Sequence, residues 1–180
     1  MQVASNQLYH LFNQGNNRQP IFRCAQNYFL FLSLFRLYVL PHCDVLAWCL
    51  MPNHFHFMLN VNAKGAETKM LGNVVSSNFS NGVRLLQCRY TQSINKQENR
   101  SGSIFRQRSK LKHCESIMDN YRLVVFDYIH NNPLNAGIVK KTGDWTFSSY
   151  PDYFGKRKGN LINRQLASEL IGIDFGFPGV

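Results

Sequence analysis

The pattern of apolar and polar residues divides the chain into seven elements followed by an irregular tail. Apolar residues that alternate with polar ones, or that form short runs, predict strands at residues 8–12, 45–50, 55–61 and 104–114. Apolar residues at helical spacing predict helices at residues 24–40, 67–90 and 115–131, with a short final helix at 163–171. The order along the chain is therefore strand, helix, strand, strand, helix, strand, helix.

Prolines and glycines set the limits of these elements. Pro41 should end the first helix, and Pro133 should end the third, because the residue before a proline avoids helical geometry. Gly72 and Gly82 weaken the case for one continuous helix over residues 67–90. Residues 91–103 are polar and basic and show no periodicity, which predicts a loop.

The first six elements have the order of an α+β ferredoxin-like sandwich, in which two helices cover one face of a central antiparallel sheet. The strands at 45–50 and 55–61 should pair as a hairpin. The helix at 115–131 is an addition to this fold and can cover the free face. A chain of 180 residues fits one domain, which we place at residues 1–142, with 143–180 as an aromatic and basic tail packed on it.

Composition and charge narrow the class of partner. Hydrophobic residues make up 44% of the chain, which excludes a disordered protein. The formal net charge of +10 favours an acidic partner, and nucleic acid is a better candidate than a membrane. The longest apolar stretch, residues 28–40, is interrupted by Ser33 and Arg36, so we expect a core helix and no membrane contact.

Two further features concern the compartment. The amino terminus lacks a charged start followed by an apolar run, so no secretion signal is expected and we predict a cytoplasmic protein. The five cysteines are an odd number without a Cys-x-x-Cys pair. Reduced thiols are therefore expected, in place of a disulfide framework or a zinc ribbon.

The most informative candidate chemistry is a pair of histidines in the third predicted strand. Side chains alternate across a strand, so His54 and His56 share one face while Phe55 and Phe57 share the other. Two imidazoles separated by two strand rises, roughly 6.6 Å, can bind one divalent ion. The alternative is that both are simply polar residues on the exposed face of the sheet.

A second cluster lies on the last predicted helix. Tyr128 and Asn132 are four residues apart, so their side chains project from the same side of the helix, and a phenol and an amide oxygen could complement the histidines. Tyr121 is the rival nucleophile, although packing is its expected role. His10 and His130 are expected to be inert, the first in a strand and the second exposed on the helix.

Two basic regions are candidates for phosphate contact. The segment 104–114 carries cations at alternate positions, on a face that either binds phosphate or is simply solvated: Arg106, Arg108, Lys110 and Lys112. The tail at 145–158 mixes aromatic residues, among them Trp145 and Tyr150, with cations. Such a mixture suits stacking on single-stranded nucleic acid, but the same rings could pack on the core.

Several segments of the chain together resemble a known family. They are Tyr9-His10, Asn16-Asn17-Arg18-Gln19-Pro20-Ile21-Phe22, Ala47-Trp48-Cys49-Leu50-Met51-Pro52-Asn53-His54-Phe55-His56, Ser101-Gly102-Ser103-Ile104-Phe105, Tyr128-Ile129-His130-Asn131-Asn132-Pro133, Trp145 and Ser148-Ser149-Tyr150. This set is similar to the single-tyrosine transposases with a His-hydrophobe-His motif, and within them to the REP-associated tyrosine transposases.

The resemblance implies a metal-dependent enzyme that cleaves single-stranded or hairpin DNA and transfers the strand through a 5′ phosphotyrosine. Tyr128 would be the catalytic nucleophile, and His54, His56 and Asn132 would bind Mg²⁺ or Mn²⁺. Arg18 is a further candidate DNA contact, because it lies in the matching segment at residues 16–22. Some relatives act as dimers while the REP-associated branch includes apparent monomers, so the resemblance leaves both a homodimer and a monomer open.

The chain departs from the family pattern in places, and two other functions stay open. Gln14 stands where relatives often have arginine, Ser109 stands where they often have an aromatic residue, and Asn132 replaces the Gln or Asp of some related transposases. The first alternative is a noncatalytic, domesticated DNA- or RNA-binding module with the same basic sheet. The second is a phosphodiesterase that uses water in place of tyrosine and forms no covalent intermediate.

Overall fold

The computed structural model describes residues 2–114, 120–155 and 157–174. Its strands are β1 (Gln7–Gln14), β2 (Cys43–Met51), β3 (His54–Val61), β4 (Thr68–Leu71), β5 (Val74–Ser77) and β6 (Lys110–His113). Its α-helices are α1 (Ala25–Tyr38), α2 (Ala63–Ala66), α3 (Asn78–Gln97), α4 (Tyr121–Asn135), α5 (Tyr150–Tyr153) and α6 (Arg164–Ile171). Short 3₁₀ turns occupy Asn16–Arg18, Leu40–His42 and Thr142–Asp144.

The central sheet has the strand order β2-β3-β1-β6, and its neighbouring strands are antiparallel. β2 and β3 form the predicted hairpin, and β1 and β3 lie in the middle. This is the order of a ferredoxin-like sandwich, so the predicted fold class is confirmed. β1 is longer than the five residues predicted for it, because it pairs with β3 over its full length.

One face of the sheet carries a core of aromatic residues under α1 and α3. Phe55 and Phe57 of β3 are fully buried there, and they contact Phe31 and Phe35 of α1. Tyr90 of α3 also lies in this core, where its hydroxyl donates a hydrogen bond of 2.6 Å to the carbonyl of Ile21. Burial of this many rings is a large share of the hydrophobic stabilisation.

The opposite face of the sheet is covered by α4, α6 and part of the tail. Met58 of β3 belongs to this second cluster, together with Val125 and Ile129 of α4 and Ala167 of α6. The histidine side of β3 therefore faces α4, as the strand alternation predicted. α4 thus covers the face that a ferredoxin-like sandwich leaves free.

The prediction of one helix over residues 67–90 is wrong for its first part. Residues 68–77 form the β4–β5 hairpin, whose turn includes Gly72 at a φ of +60°, in the left-handed region that glycine adopts readily. α3 begins at Asn78, and the hydroxyl of Ser77 caps it by accepting a hydrogen bond from the Ser80 N–H. The helix then continues to Gln97, so residues 91–97 are not the loop that was predicted.

The strand predicted over residues 104–114 is confirmed only at Lys110–His113. Before it the chain is irregular, and Gln107 has a φ of +38°, which no regular strand contains. Phe105 still forms an isolated bridge with Gly15. Lys110 and Lys112 do share a face, but Arg106 and Arg108 are not part of the strand.

α4 extends beyond its predicted end, and Pro133 lies inside it. The missing proline N–H affects only the last turn of the helix, where Gly137 at φ +68° ends it by a Schellman arrangement. In this arrangement the N–H of Gly137 donates to the carbonyl of Leu134, and that of Ile138 donates to the carbonyl of Pro133. The predicted start of this helix at Glu115 lies outside the described residues.

The tail from Trp145 packs against β2. Phe147 stacks on Tyr28 of α1 at a centroid distance of 3.8 Å, and Tyr153 donates a hydrogen bond to the Leu46 carbonyl. Arg157 pairs with the buried Asp152, with Nε 2.6 Å from the carboxylate. The aromatic rings and this arginine therefore have internal partners. Among the described residues, no helix combines the length and the apolar character needed to cross a membrane.

Gly82 provides a test of the packing between α1 and α3. A Cβ at this position would overlap with the backbone carbonyl of Tyr38 at the end of α1. Gly82→Ala should therefore push the helices apart and lower the free energy of unfolding by about 1–3 kcal/mol. Urea denaturation measures the free energy of unfolding. Ser93→Ala on the exposed side of α3 is the control and should change the value by less than about 0.5 kcal/mol. Equal stability of the two variants would contradict this packing.

Candidate active site

Three histidines lie on the face of the sheet that α4 covers. β1 and β3 pair with Phe12 opposite His56 and Gln14 opposite His54, which places His10 on the same face. The rings of His54 and His56 are 5.0 Å apart, and His10 stacks on His56 at the same centroid distance. His56 and His10 are buried, whereas His54, at the start of β3, is half-buried.

α4 places the candidate nucleophile and the amide beside these histidines. The ring centroid of Tyr128 is 5.4 Å from that of His56 and 6.0 Å from that of His10. One turn later, the Asn132 Oδ1 lies 3.4 Å from the His54 Nε2. Tyr128 is 48% exposed and lines the cavity beside the histidines, so it is accessible from solvent.

The hydrogen bonds around His54 allow a test of whether a cation fits. Its Nδ1 is 2.6 Å from the Asn53 Oδ1, and its Nε2 faces the Oδ1 of Asn132, whose amide nitrogen donates to the Tyr128 carbonyl. Both ring nitrogens thus face carbonyl oxygens, but a neutral imidazole has only one N–H. The shorter contact takes that hydrogen, which leaves a lone pair on Nε2 facing a lone pair on the amide. A divalent cation bound by both atoms would satisfy this arrangement, so the donor set fits a metal ion.

Electrostatics keep these imidazoles neutral, which is the form that binds metal. Burial lowers the pKa of His54, although the Asn132 Oδ1, which would accept a hydrogen bond from the protonated ring, opposes this effect. Burial, and then the positive charges that His10 and His54 would carry, lower the pKa of His56 well below its ordinary value. Burial, followed by the charge of Lys112, lowers the pKa of His10 to about 4.

The candidate ligand set depends on an amide oxygen. Within residues 2–114, 120–155 and 157–174, no group of three or more His, Cys, Asp or Glu side chains is arranged to hold a metal ion. Two neutral imidazoles and one amide contribute no negative charge, so this would be a weak site unless the substrate supplies further oxygen ligands. Mg²⁺ and Mn²⁺ commonly complete their coordination with phosphate oxygens and water.

Cations line the cavity in front of the histidines and the tyrosine. Its volume is about 310 Å³, and its walls include His54, His56, Tyr128, Arg106, Arg108 and Lys110. Lys112 lies on the same side of the sheet, with its ammonium 5.9 Å from the centre of the Phe12 ring. Arg18 lines an adjoining cleft that also includes Arg106 and Gln107. Five of the seven predicted DNA contacts therefore surround one region of the surface.

The other two predicted DNA contacts have internal partners. The indole N–H of Trp145 donates a hydrogen bond of 3.0 Å to the Leu50 carbonyl, and its ring packs on the core. The Tyr150 ring lies tilted against Phe154 at a centroid distance of 4.3 Å and edge-on to the buried His130 at 5.8 Å. Neither residue lines the cavity beside Tyr128, so the structure favours the packing alternative for the rings of the tail.

Tyr121 and His130 are the two remaining candidates, and neither lines the cavity. Tyr121 packs against the core under α4, which is its expected role. His130 was predicted to be exposed, but it is buried, with its Nε2 2.7 Å from the Ser149 Oγ. Burial lowers the pKa of His130 to about 3, against the opposing effect of the Phe126 carbonyl.

Sequence reasoning undervalued His10 and missed Asn53 and Gln107. His10 Nε2 is 2.8 Å from the His56 Nδ1, a contact that depends on the register between β1 and β3. Asn53 belongs to a segment that resembles the family, but its sequence position gives no sign that its side chain contacts His54. Gln107 lines the cavity from a left-handed backbone conformation that its sequence does not signal.

Comparisons with known proteins support the fold. The chain is similar to a solved structure of a REP-associated tyrosine transposase bound to a REP hairpin, with a TM-score of 0.60 and 18% sequence identity. The match covers 89% of this chain and 90% of the other. No family model and no curated protein matches the chain. At this identity the likeness establishes a shared fold, an α+β sandwich with a central antiparallel sheet, over nearly the whole of both chains.

Proposed function

We propose that the protein is a metal-dependent enzyme that cleaves and rejoins single-stranded DNA through a 5′ phosphotyrosine on Tyr128. One observation carries this proposal: a half-exposed tyrosine lies beside His56 and one helical turn from an amide oxygen that faces His54. Tyr128, His54 and His56 line one cavity, and Asn132 contacts His54 beside it, so a nucleophile and three candidate metal ligands are neighbours. A nucleic-acid-binding module without catalysis has no need of this combination.

The proposed reaction consists of two balanced transfers. The Tyr128 oxygen attacks the scissile phosphorus, a bond forms between them, and the bond to the 3′ oxygen breaks. The phenol proton passes to water, and the departing 3′ oxygen takes up a proton to become a hydroxyl. A second 3′ hydroxyl then attacks the phosphotyrosine and releases Tyr128. Each step exchanges one phosphate ester for another, so rejoining needs no ATP.

The residues around Tyr128 have separate roles in this scheme. His54, His56 and Asn132 would hold Mg²⁺ or Mn²⁺, which when bound would neutralise the scissile phosphate and favour departure of the 3′ oxygen. Arg106, Arg108 and Lys110 would bind neighbouring phosphates and so keep the strand in line with the tyrosine. Because the histidines are neutral, the positive charge in this cavity comes from its two arginines and its lysine.

The substrate class follows from the same surface. The cavity beside Tyr128 is lined by three cations, and Arg18 extends this positive region into the next cleft. A polyanionic single strand fits such a groove. The solved transposase to which the chain is similar is bound to a REP hairpin, which supports hairpin-forming repeat DNA as the proposed substrate.

Replacement of Tyr128 by phenylalanine tests the proposed nucleophile. Tyr128→Phe keeps the ring and removes the attacking oxygen, so strand cleavage should fall below about one thousandth of the wild-type rate. DNA binding and the unfolding free energy should stay nearly the same, because the residue is half exposed and the ring is retained. The assay uses Mn²⁺ and end-labelled single-stranded DNA from the repeats flanking the gene, with denaturing gels and peptide mapping of the adduct.

Tyr121→Phe is the matched control on the same helix and should cleave at the wild-type rate. A covalent adduct that persists in Tyr128→Phe would overturn the assignment. Cleavage by the wild-type protein without any adduct would favour a phosphodiesterase that uses water. Binding without cleavage would favour a noncatalytic module.

The salt dependence of DNA binding tests the proposed phosphate contacts. Each phosphate contact on a single strand contributes roughly −0.7 to the slope of log K against log salt. The double variant Arg106→Ala and Arg108→Ala should therefore weaken binding and make this slope shallower by roughly 1.4. Fluorescence anisotropy with a labelled oligonucleotide at several salt concentrations measures both effects.

Lys69→Ala is the control for charge alone. Lys69 lies on β4, close enough to His42 for its charge to lower the pKa of that histidine. His42 directly precedes β2, whose far end pairs with His54, so Lys69 is distant from the site. Its removal should leave the slope unchanged. An unchanged slope in the double arginine variant would contradict the proposed path of the strand.

A further inference from the structure

Each of the two candidate ligand histidines has its Nδ1 in contact with a neighbouring side chain. The Nδ1 of His54 lies 2.6 Å from the Asn53 Oδ1, and that of His56 lies 2.8 Å from the His10 Nε2. In both rings the nitrogen that remains for a metal ion is therefore Nε2. The two contacts come from different parts of the chain, one from the β2–β3 turn and one from β1.

The orientation of the Asn53 amide is fixed by a second hydrogen bond. Its Nδ2 donates to the carbonyl oxygen of Arg18 over 3.1 Å, so its Oδ1 must point to His54. Arg18 and Asn17 have φ values of +58° and +52°, a left-handed pair in a short turn. An oxygen has no hydrogen to donate, so His54 Nδ1 must carry the proton. Its Nε2 is then unprotonated.

The contact between His10 and His56 allows two arrangements of the hydrogen, and only one of them leaves His56 able to bind a metal ion. The two rings share one hydrogen between His10 Nε2 and His56 Nδ1. If His56 donates it, then Nε2 of His56 has a free lone pair and can bind a metal ion. If His10 donates it, then a neutral His56 carries its hydrogen on Nε2 and cannot bind. His10 is buried on the face of the sheet that α4 covers, and its ring centroid lies 4.8 Å from that of Phe12, which restricts rotation of the imidazole.

We propose that Asn53 and His10 are positioning residues, each of which accepts the Nδ1 proton of one ligand histidine, so that both imidazoles present Nε2 to the same divalent ion. This inference rests on the proposed function for the identity of the ion, and it assigns a role to two residues that are neither ligands nor nucleophiles. Partners of this kind fix the tautomer and orientation of a ligand histidine. Their loss typically weakens metal binding roughly ten- to a hundredfold.

The first test determines the tautomers in the metal-free protein. Long-range ¹H–¹⁵N correlation spectra of protein labelled with ¹⁵N-histidine distinguish an Nδ1–H ring from an Nε2–H ring. In the wild type, His54 and His56 should both be Nδ1–H. Asn53→Ala should shift His54 towards the Nε2–H form and leave His56 unchanged, and His10→Ala should do the reverse. A residue that merely fills space would not move these signals selectively.

The second test measures Mn²⁺ affinity by calorimetry, without DNA or catalysis. Asn53→Ala and His10→Ala should each weaken binding roughly ten- to a hundredfold. His10→Gln retains an oxygen that can accept the Nδ1 proton, so it should keep His56 in the Nδ1–H form and bind Mn²⁺ more tightly than His10→Ala. It also provides a folded variant if the alanine substitution prevents folding.

His113→Ala is the matched control. His113 is a histidine of β6 that lies opposite Tyr9, on the other face of the sheet from His10, and its Nε2 is 2.7 Å from the Gln7 Oε1. Its replacement should change neither the tautomers nor the affinity.

The outcomes separate this inference from the proposed function. Wild-type tautomers and wild-type Mn²⁺ affinity in both alanine variants would overturn the positioning roles and leave the proposed function standing. A His10→Gln variant as weak as His10→Ala would overturn the role of His10. A wild-type protein that binds no Mn²⁺ and forms no adduct would overturn the proposed function, while the tautomers of the metal-free protein would still decide the positioning roles.

Discussion

The antiparallel register between β1 and β3 is the constraint on which the rest of the site depends. It runs without a bulge from Gln7 opposite Val61 to Gln14 opposite His54. A slip of one residue would turn the imidazoles of β3 into the aromatic core and expose Phe55 and Phe57 on the other face. The burial of those rings therefore holds the histidines on the side of α4. Hydrogen bonds from the N–H groups of Ile21 and Phe22 to the Pro52 carbonyl hold the turn before β3 in place.

α4 adds the oxygen atoms, and the loop before β6 adds the positive charge. Among the described residues, the cavity lining contains three cations, two neutral imidazoles and a phenol, and no carboxylate. These cations lower the affinity of the cavity for a divalent cation and attract a polyanion. Bound phosphate would offset this repulsion and supply oxygen ligands, so metal and DNA would each strengthen the binding of the other. This coupling would explain how a ligand set without negative charge can suit the proposed metal-dependent cleavage.

The sequence was sufficient for those features that depend on local periodicity. A period of two placed His54 and His56 on one face, and helical spacing placed Tyr128 beside Asn132. It failed where two periodicities compete, as at residues 67–77, whose apolar positions fit a helix although Gly72 and the β-branched Val74 and Val75 form a hairpin. Local periodicity also failed at Pro133, because α4 ends at the Schellman arrangement around Gly137, after the proline.

Contacts between distant segments could not be predicted from these patterns. The pairing of His10 with His56 joins residues 46 positions apart and requires the register of two strands that are not neighbours in sequence. The internal partners of Trp145 depend in the same way on where the tail crosses β2. Composition alone left these rings equally suited to stacking on DNA and to packing on the core.

The central claim is that His54, His56 and Asn132 form one cation site beside Tyr128. Crystals of the Tyr128→Phe protein with a bound single-stranded oligonucleotide, soaked in MnCl₂ and measured near the manganese absorption edge, would test it most directly. The account predicts a single anomalous peak bound by the Nε2 atoms of both histidines and by the Asn132 Oδ1. A peak bound by other residues, or well-ordered histidines with no peak between them, would contradict it.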